Sequence, residues 1–195
     1  MQLALGGIHG GRLLFSRNGK GMLMSDDSGE SWRLGKALPA SGESQAVQLR
    51  NGSVIMQMRN KDHKYSYRWC RSDDGGSSFF SPCLTRARPL VPDVPTSIIR
   101  RGSALLLSHP NSATLPCPLG RKNMTLSASH DEGGTWADEL TVHAGPSGYS
   151  SLAWLPAGGK VGLLGLLYEK SCDGKEPIDF QEVELAIISG AGAVA

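Results

Sequence analysis

The side chains that could bind and cleave an anionic substrate include Glu43, Arg59, Arg121, Tyr149 and Glu169. An arginine can hold a carboxylate through two parallel hydrogen bonds and stays charged at physiological pH. A tyrosine hydroxyl, whose pKa is ordinarily near 10, is a weak nucleophile unless a neighbouring carboxylate takes its proton. Each residue also has an ordinary interpretation, since such tyrosines usually pack half-buried and such charges are usually solvated.

Other common catalytic arrangements are missing from the sequence. The five histidines have no HxxxH spacing and the four cysteines, at positions 70, 83, 117 and 172, have no CxxC spacing, which argues against a zinc or redox site. There is no Gly-x-Ser-x-Gly turn of a serine hydrolase and no glycine-rich turn leading into a helix that would bind phosphate. No metal or cofactor is predicted. The cysteines fit either buried free thiols or one disulfide formed in an oxidising compartment.

The elements that must position the candidate residues are marked by an eight-residue motif that occurs three times, at residues 25–32, 72–79 and 129–136. Each copy reads Ser-x-Asp-x-Gly-x-(Ser/Thr)-aromatic, which predicts a hairpin turn. The Asp can accept hydrogen bonds from nearby amides, the Gly can take positive φ, and the aromatic can fold back under the strands. The copies start at Ser25, Ser72 and Ser129, and these separations match the 40–50 or so residues of a four-stranded propeller blade.

Strand-like segments follow one another along the chain, and no long window has helical periodicity. Asn51-Gly52 predicts a tight type I′ hairpin and Arg101-Gly102 a second hairpin. The proline-rich residues 82–95 fit a connection between blades. The predicted strands are residues 11–15, 21–24, 44–50, 53–59, 65–71, 97–100, 103–108, 123–129, 150–155, 160–169 and 183–189.

Length and composition favour an all-β globular domain over residues 1–189, followed by a frayed tail at 190–195. The net charge of +2 is far from that of a nucleic-acid-binding protein, and no apolar run approaches the length of a membrane span.

The three motifs resemble the Asp-boxes of the sialidases (neuraminidases), whose fold is a six-bladed β-propeller. Residues 43–59 resemble the stretch in which a Glu begins one strand and an Arg ends the next. The segment that begins at Arg121 resembles the one that carries a second arginine. The segment around Tyr149 resembles the one that carries the catalytic tyrosine, and the segment that ends at Glu169 resembles the one that carries a later acid. The order agrees, although the stretch from Tyr149 to Glu169 is a few residues longer than usual. The resemblance covers the whole chain and is closest to lysosomal-type animal sialidases and their bacterial relatives.

The resemblance implies a role for each residue. Tyr149 would be the nucleophile and Glu43 its base, Arg59 and Arg121 would bind the carboxylate of sialic acid, and Glu169 would orient an arginine. A tyrosine suits this reaction because the substrate carboxylate would repel a carboxylate nucleophile. The implied activity is that of a retaining exo-α-sialidase acting on oligosaccharides, glycoproteins and gangliosides, and it requires the first four side chains to converge on one pocket.

Two parts of the family site have no counterpart in this sequence: an arginine in an Arg-Ile-Pro strand and an aspartate that acts as acid and base. Arg12, in Gly-Gly-Arg-Leu-Leu, resembles a later hairpin strand instead. We therefore expect about the last four blades of the propeller and a chain that is weakly active or inactive by itself. Its open edges would associate with other chains or with a missing N-terminal segment.

Two alternatives to an enzyme are a catalytically dead glycan-binding propeller and a purely structural Asp-box fragment. The implied partners are sialylated glycoconjugates. Relatives occur in lysosomes, at membranes, in the cytosol and outside bacteria, so the resemblance does not predict a compartment.

Overall fold

The computed structural model describes residues 2–4, 6–17, 20–38, 42–62, 65–112, 121–155, 163–170 and 182–188. Within them the chain forms β-strands and one short 3-10 helix, Gly7–His9, and none of their helices is long and apolar enough to cross a membrane. The all-β prediction is confirmed. The strands are β1 Gln2–Ala4, β2 Leu13–Ser16, β3 Met22–Ser25, β4 Arg33–Leu34, β5 Ser44–Gln48, β6 Val54–Arg59, β7 Tyr67–Ser72, β8 Leu84–Arg86, β9 Ser97–Arg101, β10 Ala104–Pro110, β11 Lys122–Ser129, β12 Ala137–Leu155, β13 Leu163–Lys170 and β14 Glu182–Ile188.

The chain divides into two compact units. Unit 1 contains residues 1–62 and 67–86, and unit 2 contains residues 63–66 and 87–195. The predicted tail at 190–195 lies outside the described residues, and the prediction of one propeller domain over residues 1–189 stays a prediction.

Unit 1 consists of two four-stranded antiparallel sheets, in the orders β1-β2-β3-β4 and β5-β6-β7-β8. Side chains from β2 and β3 pack against side chains from β5, β6 and β7 in one apolar cluster. Four of its members are the buried methionines Met22, Met24, Met56 and Met58. The unbranched methionine side chain fills the irregular gaps between two twisted sheets.

Each eight-residue motif forms the turn between the third and fourth strands of a four-stranded run. In the third motif Asp131 Oδ1 accepts hydrogen bonds from the Ser129 hydroxyl (2.8 Å) and the Thr135 amide (2.8 Å), and Oδ2 accepts one from the Thr135 hydroxyl (2.7 Å). The Gly133 amide donates to Ser129 Oγ (2.8 Å) and Gly133 has a φ of 86°. The same hydrogen bonds centre on Asp27 and Asp74 in the other copies. The predicted roles of the Asp and the Gly are confirmed.

The aromatic residue of the motif does not behave as predicted in every copy. Phe79 packs against the unit 1 core. Trp32 is 43% exposed and its indole N–H donates to Gly29 O (3.0 Å), which lies in the same turn. The prediction that the aromatic folds under the strands is therefore wrong for Trp32, because its N–H finds an acceptor within the turn.

The loop between β5 and β6 is a hairpin turn but not the predicted type I′ turn. The Gly52 amide donates to Leu49 O (3.0 Å) and the Leu49 amide donates to Ser53 O (2.8 Å). Of the loop residues only Gly52 has positive φ, at 88°, whereas type I′ needs two such residues. The Asn51 side chain accepts a hydrogen bond from the Ser53 amide (3.0 Å), which stabilises the alternative turn.

Unit 2 is a six-stranded antiparallel sheet in the order β14-β13-β12-β11-β10-β9. The long strand β12 changes partner along its length: residues 137–146 pair with β11, and residues 147–155 pair with β13. One apolar cluster contains side chains from both parts of the sheet: Leu106 and Leu126 from β10 and β11, and Leu152, Leu164 and Leu166 from β12 and β13. One strand therefore links two sheet halves whose side chains share a core.

A disulfide joins Cys70 in β7 to Cys83, just before β8, with Cα atoms 4.5 Å apart. Of the two interpretations left open by the sequence, the structure has the disulfide for this pair. Cys117 and Cys172 lie outside the described residues.

We expect the Asp131 carboxylate to stabilise the folded chain above about pH 4 and to lose that effect as the pH falls towards 2. The Thr135 amide and hydroxyl lower the pKa of Asp131 to about 2, below that of an unfolded aspartate, so the folded state favours the charged form. In Asp131→Asn the midpoint of thermal unfolding at neutral pH should fall by about 2–4 °C. The further decrease of that midpoint on acidification should be smaller in Asp131→Asn than in the wild type. Glu30→Gln, at an exposed acid of the first motif, is the control, and equal acid profiles for Asp131→Asn and the wild type would contradict the prediction.

Reduction of the Cys70–Cys83 disulfide should lower the free energy of unfolding by about 3 kcal/mol. The disulfide closes a short loop in the unfolded chain, and without it the unfolded chain gains conformational entropy. Urea unfolding with and without reductant measures this difference. A Cys117→Ser/Cys172→Ser variant should show the same drop. An unchanged urea midpoint after complete reduction would count against a stabilising disulfide.

Candidate active site

In unit 1 the hairpin of β5 and β6 places Glu43 directly opposite Arg59. Glu43 precedes the first residue of β5 and Arg59 is the last residue of β6. The Arg59 amide donates to Glu43 O (2.9 Å), and Arg59 Nη1 donates to Glu43 Oε1 (3.1 Å). The Arg59 side chain is 12% exposed and that of Glu43 37%, so a mostly buried cation is paired with a more accessible acid.

Gly42 makes this close pairing sterically possible. Its φ is 148°, and an added Cβ would lie 2.6 Å from the carbonyl oxygen of Arg59. Only glycine fits such a close approach without displacing the backbone. The glycine thus fixes the approach of the chain to Glu43.

In unit 2 Arg121 lies just before β11 and is 8% exposed. Its Nη2 donates to the carbonyl oxygen of Asp93 (2.5 Å), and its own carbonyl oxygen accepts a hydrogen bond from the Ser147 amide (3.0 Å). Asn123, two residues after Arg121, has a φ of 58°. The pairing of β11 with β12 shifts register between Lys122 and Met124. The irregular start of β11 thus positions Arg121 against the middle of β12.

Tyr149 lies beside Arg121, and Glu169 contacts the backbone of Tyr149. The Arg121 guanidinium carbon is 5.8 Å from the centroid of the Tyr149 ring, within the range of a cation–π contact. Glu169 Oε2 accepts a hydrogen bond from the Tyr149 amide (2.8 Å), so the acid of β13 anchors the backbone of the tyrosine. The Tyr149 side chain remains accessible, at 38% exposure.

A second tyrosine, Tyr168, lies close to Tyr149 but has a different environment. It is 2% exposed, and burial, together with the nearby Glu184 carboxylate, raises its pKa. A buried phenol that holds its proton is poorly suited to attack a substrate. Of these two tyrosines, Tyr149 is the better candidate nucleophile.

A shallow cleft of about 230 Å³ lies over this part of unit 2, lined by Tyr149, Ser151, Leu167, Glu169 and Val183. It offers a phenol and a carboxylate beside apolar walls. Among the described residues, no group of three or more His, Cys, Asp or Glu side chains could hold a metal ion. The phenol and the carboxylate of the cleft are groups that serve in nucleophilic and acid–base chemistry.

The structure groups Glu43 with Arg59 in unit 1, and Arg121 with Tyr149 and Glu169 in unit 2. The prediction that Tyr149, Glu43, Arg59 and Arg121 converge on one pocket stays a prediction, as do the roles given to them. The hydrogen bond from Arg121 to Asp93 could not be predicted from the sequence, because it uses a backbone carbonyl, which leaves no signal in residue type.

Comparison with known proteins gives one matching family, described as the BNR repeat-like domain, over residues 3–163. A sialidase of Micromonospora viridifaciens is 31% identical over 156 residues, which are 74% of this chain and 23% of that protein. The chain thus spans less than a quarter of this curated relative.

Solved structures with a similar fold include a variant of the NanB sialidase of Streptococcus pneumoniae. The identity is 25%, the TM-score is 0.70, and the match covers 94% of this chain and 28% of that one. The intramolecular trans-sialidase of Ruminococcus gnavus, solved with oseltamivir carboxylate, is 23% identical with a TM-score of 0.64, over 87% of this chain and 38% of that one. The chain has the sialidase-type glycoside hydrolase fold, and the expected propeller class of all-β fold is confirmed.

Removal of the Glu169 carboxylate should loosen the backbone at Tyr149. In Glu169→Ala the amide hydrogen of Tyr149 loses its acceptor, and its exchange with solvent should become roughly tenfold faster. Hydrogen exchange followed by NMR measures the rate. Glu169→Gln keeps an acceptor oxygen and should show a smaller change, so equal rates in both variants and the wild type would argue against this anchoring role.

Proposed function

This chain belongs to the BNR repeat-like domain family and is homologous to sialidases, and from that premise we propose that it is an exo-α-sialidase. It would remove terminal sialic acid from oligosaccharides, glycoproteins and gangliosides with retention of configuration.

The observation that carries the proposal is the grouping of Arg121, Tyr149 and Glu169. An accessible phenol lies 5.8 Å from a mostly buried guanidinium, and an acid holds the tyrosine backbone. Burial strengthens the attraction of a cation for a carboxylate because the surroundings screen it less than water does. If Arg121 binds the carboxylate of sialic acid, the Tyr149 hydroxyl would lie near the anomeric carbon that carries this carboxylate.

The Glu43–Arg59 pair supports the same reaction with a base and a second cation. In the proposed first step the Tyr149 oxygen attacks the anomeric carbon, Glu43 accepts the phenol proton, and the bond to the leaving sugar breaks as the leaving oxygen takes a proton from water. Arg59 and Arg121 hold the substrate carboxylate. Glu169 would orient the arginine of the family's Arg-Ile-Pro strand, which has no counterpart in this sequence. Water then attacks the anomeric carbon of the tyrosyl intermediate and loses a proton to solvent, while the bond to Tyr149 breaks and Glu43 returns its proton to the tyrosine oxygen.

We further propose that these 195 residues alone turn over natural substrates weakly or not at all. The sequence has no counterpart of the family's Arg-Ile-Pro strand or of its acid–base aspartate. Loss of a general acid alone lowers rates by about 10²–10⁴-fold.

The face of β14 supports a proposal of association with another propeller segment. Among the described strands β14 ends the unit 2 sheet, and its side chains Val183, Leu185 and Ile187 are more than half exposed. Exposed apolar faces and unpaired strand edges tend to be covered by another chain.

The proposal predicts that 2,3-difluorosialic acid labels Tyr149. Fluoride leaves without protonation, so the label forms even without the acid that the sequence lacks, and the fluorine at C3 slows hydrolysis of the adduct. Intact-mass and peptide mass spectrometry should find one fluorosialyl group on Tyr149. Tyr149→Phe should abolish the label, and Glu43→Gln should slow its formation by about 10²-fold.

Tyr65→Phe is the matched control and should be labelled like the wild type. A chain that is not labelled but binds sialyllactose, with binding lost in Arg59→Ala, would be a glycan-binding propeller and not an enzyme. A chain that is neither labelled nor binds any sialoside would overturn both functions and leave a structural role.

A further inference from the structure

A second cleft in unit 2, of about 410 Å³, adjoins the third eight-residue motif and has no part in the proposed reaction. Its lining includes Arg88, Leu90, Asn111, Trp136 and Asp138, and we call it the Trp136 cleft. It combines the aromatic ring of Trp136, the side-chain amide of Asn111, the carboxylate of Asp138 and the guanidinium of Arg88. Its volume is within the range of small-molecule sites.

Trp136 differs from the equivalent residue of the first motif. The indole N–H of Trp32 donates to Gly29 O (3.0 Å). The indole nitrogen of Trp136 is buried, and no acceptor is found for it within the part of the chain that the structure describes. A buried donor without a partner is costly, so a small shift of the ring that lets the N–H donate to a ligand oxygen in the cleft would be favourable.

Asp138 is an acceptor held in one orientation. Its Oδ1 accepts a hydrogen bond from the Ser127 hydroxyl (2.6 Å) and its Oδ2 accepts one from the Asn111 amide (2.5 Å). Ser127 is fully buried and contacts His109 Nε2 (2.8 Å) behind it. A carboxylate has about four acceptor positions, so Asp138 can also accept hydrogen bonds from ligand hydroxyls.

We propose that the Trp136 cleft binds a neutral saccharide. Sugar hydroxyls would donate to Asp138 and accept from the Trp136 N–H, and the apolar C–H face of the ring would pack against Trp136 and Leu90. The charges of Arg88 and Asp138 balance, which favours an uncharged ligand over an acidic sugar. This inference does not depend on the proposed sialidase activity.

Lactose and maltose are the probes, titrated into the full chain and followed by isothermal titration calorimetry. At least one should bind at millimolar concentration, with glucuronate binding more weakly. Trp136→Phe keeps an aromatic ring but lacks the N–H, and should weaken binding by about fivefold or more. Asn111→Ala, which frees the Asp138 carboxylate, should also weaken it.

Trp32→Phe is the matched control, since that N–H is already bonded within its own turn, and it should bind like the wild type. Tyr149→Phe should also bind normally, which separates this site from the proposed active site. If a variant fails to fold, an NMR experiment on the wild-type chain still tests the proposal. The sequence has four tryptophans, and in a ¹⁵N-correlated spectrum lactose or maltose should shift the indole signal of Trp136. Absence of binding by both sugars, binding unaffected by Trp136→Phe, or a preference for glucuronate would overturn the proposal.

Discussion

Three buried serines and three aspartates hold the strands of this chain in register. Ser25, Ser72 and Ser129 end the third strands, and each donates its hydroxyl to an Asp two residues later. That Asp then accepts hydrogen bonds from the amide and the hydroxyl of the Ser or Thr four residues after it, which closes the turn before the fourth strand. A hairpin turn fixes which residues face each other along two strands. The rest of each sheet depends on these carboxylate-centred turns.

The candidate site in unit 2 follows from the register that the third turn sets. β11 and β12 leave the turn as a pair, with Ala128 opposite Ala137. The pairing ends near Ser147, whose amide donates to the carbonyl oxygen of Arg121. β12 then continues as the partner of β13, which brings the Glu169 carboxylate to the Tyr149 amide. A change of partner within one strand therefore joins an arginine, a tyrosine and an acid that are far apart in the sequence.

The same turn motif serves different purposes at its last position. Phe79 contributes to a core, Trp32 closes on its own turn, and Trp136 lines a cleft. The carboxylate-centred hydrogen bonds do not involve the aromatic side chain, so that side chain can vary in use without disturbing the turn. This separation lets the aromatic side chain of a structural repeat line a cleft in one copy and not in another.

The sequence was sufficient to predict the all-β class, the three turns and most strand positions, because these depend on local alternation, on glycine at positive φ and on short-range hydrogen bonds. It also placed Glu43 at the start of one hairpin strand and Arg59 at the end of the next, since their spacing matches a hairpin. At Asn51-Gly52 two local turns compete, and the Asn51 side chain, which accepts a hydrogen bond from the Ser53 amide, favours the one that differs from type I′. The tertiary structure determined the remaining contacts. It alone joined Cys70 to Cys83, buried Arg121 against the carbonyl of Asp93 and left Trp136 without the partner that Trp32 has. These contacts depend on backbone atoms and on residues distant in sequence, and residue types along a single chain do not encode them locally.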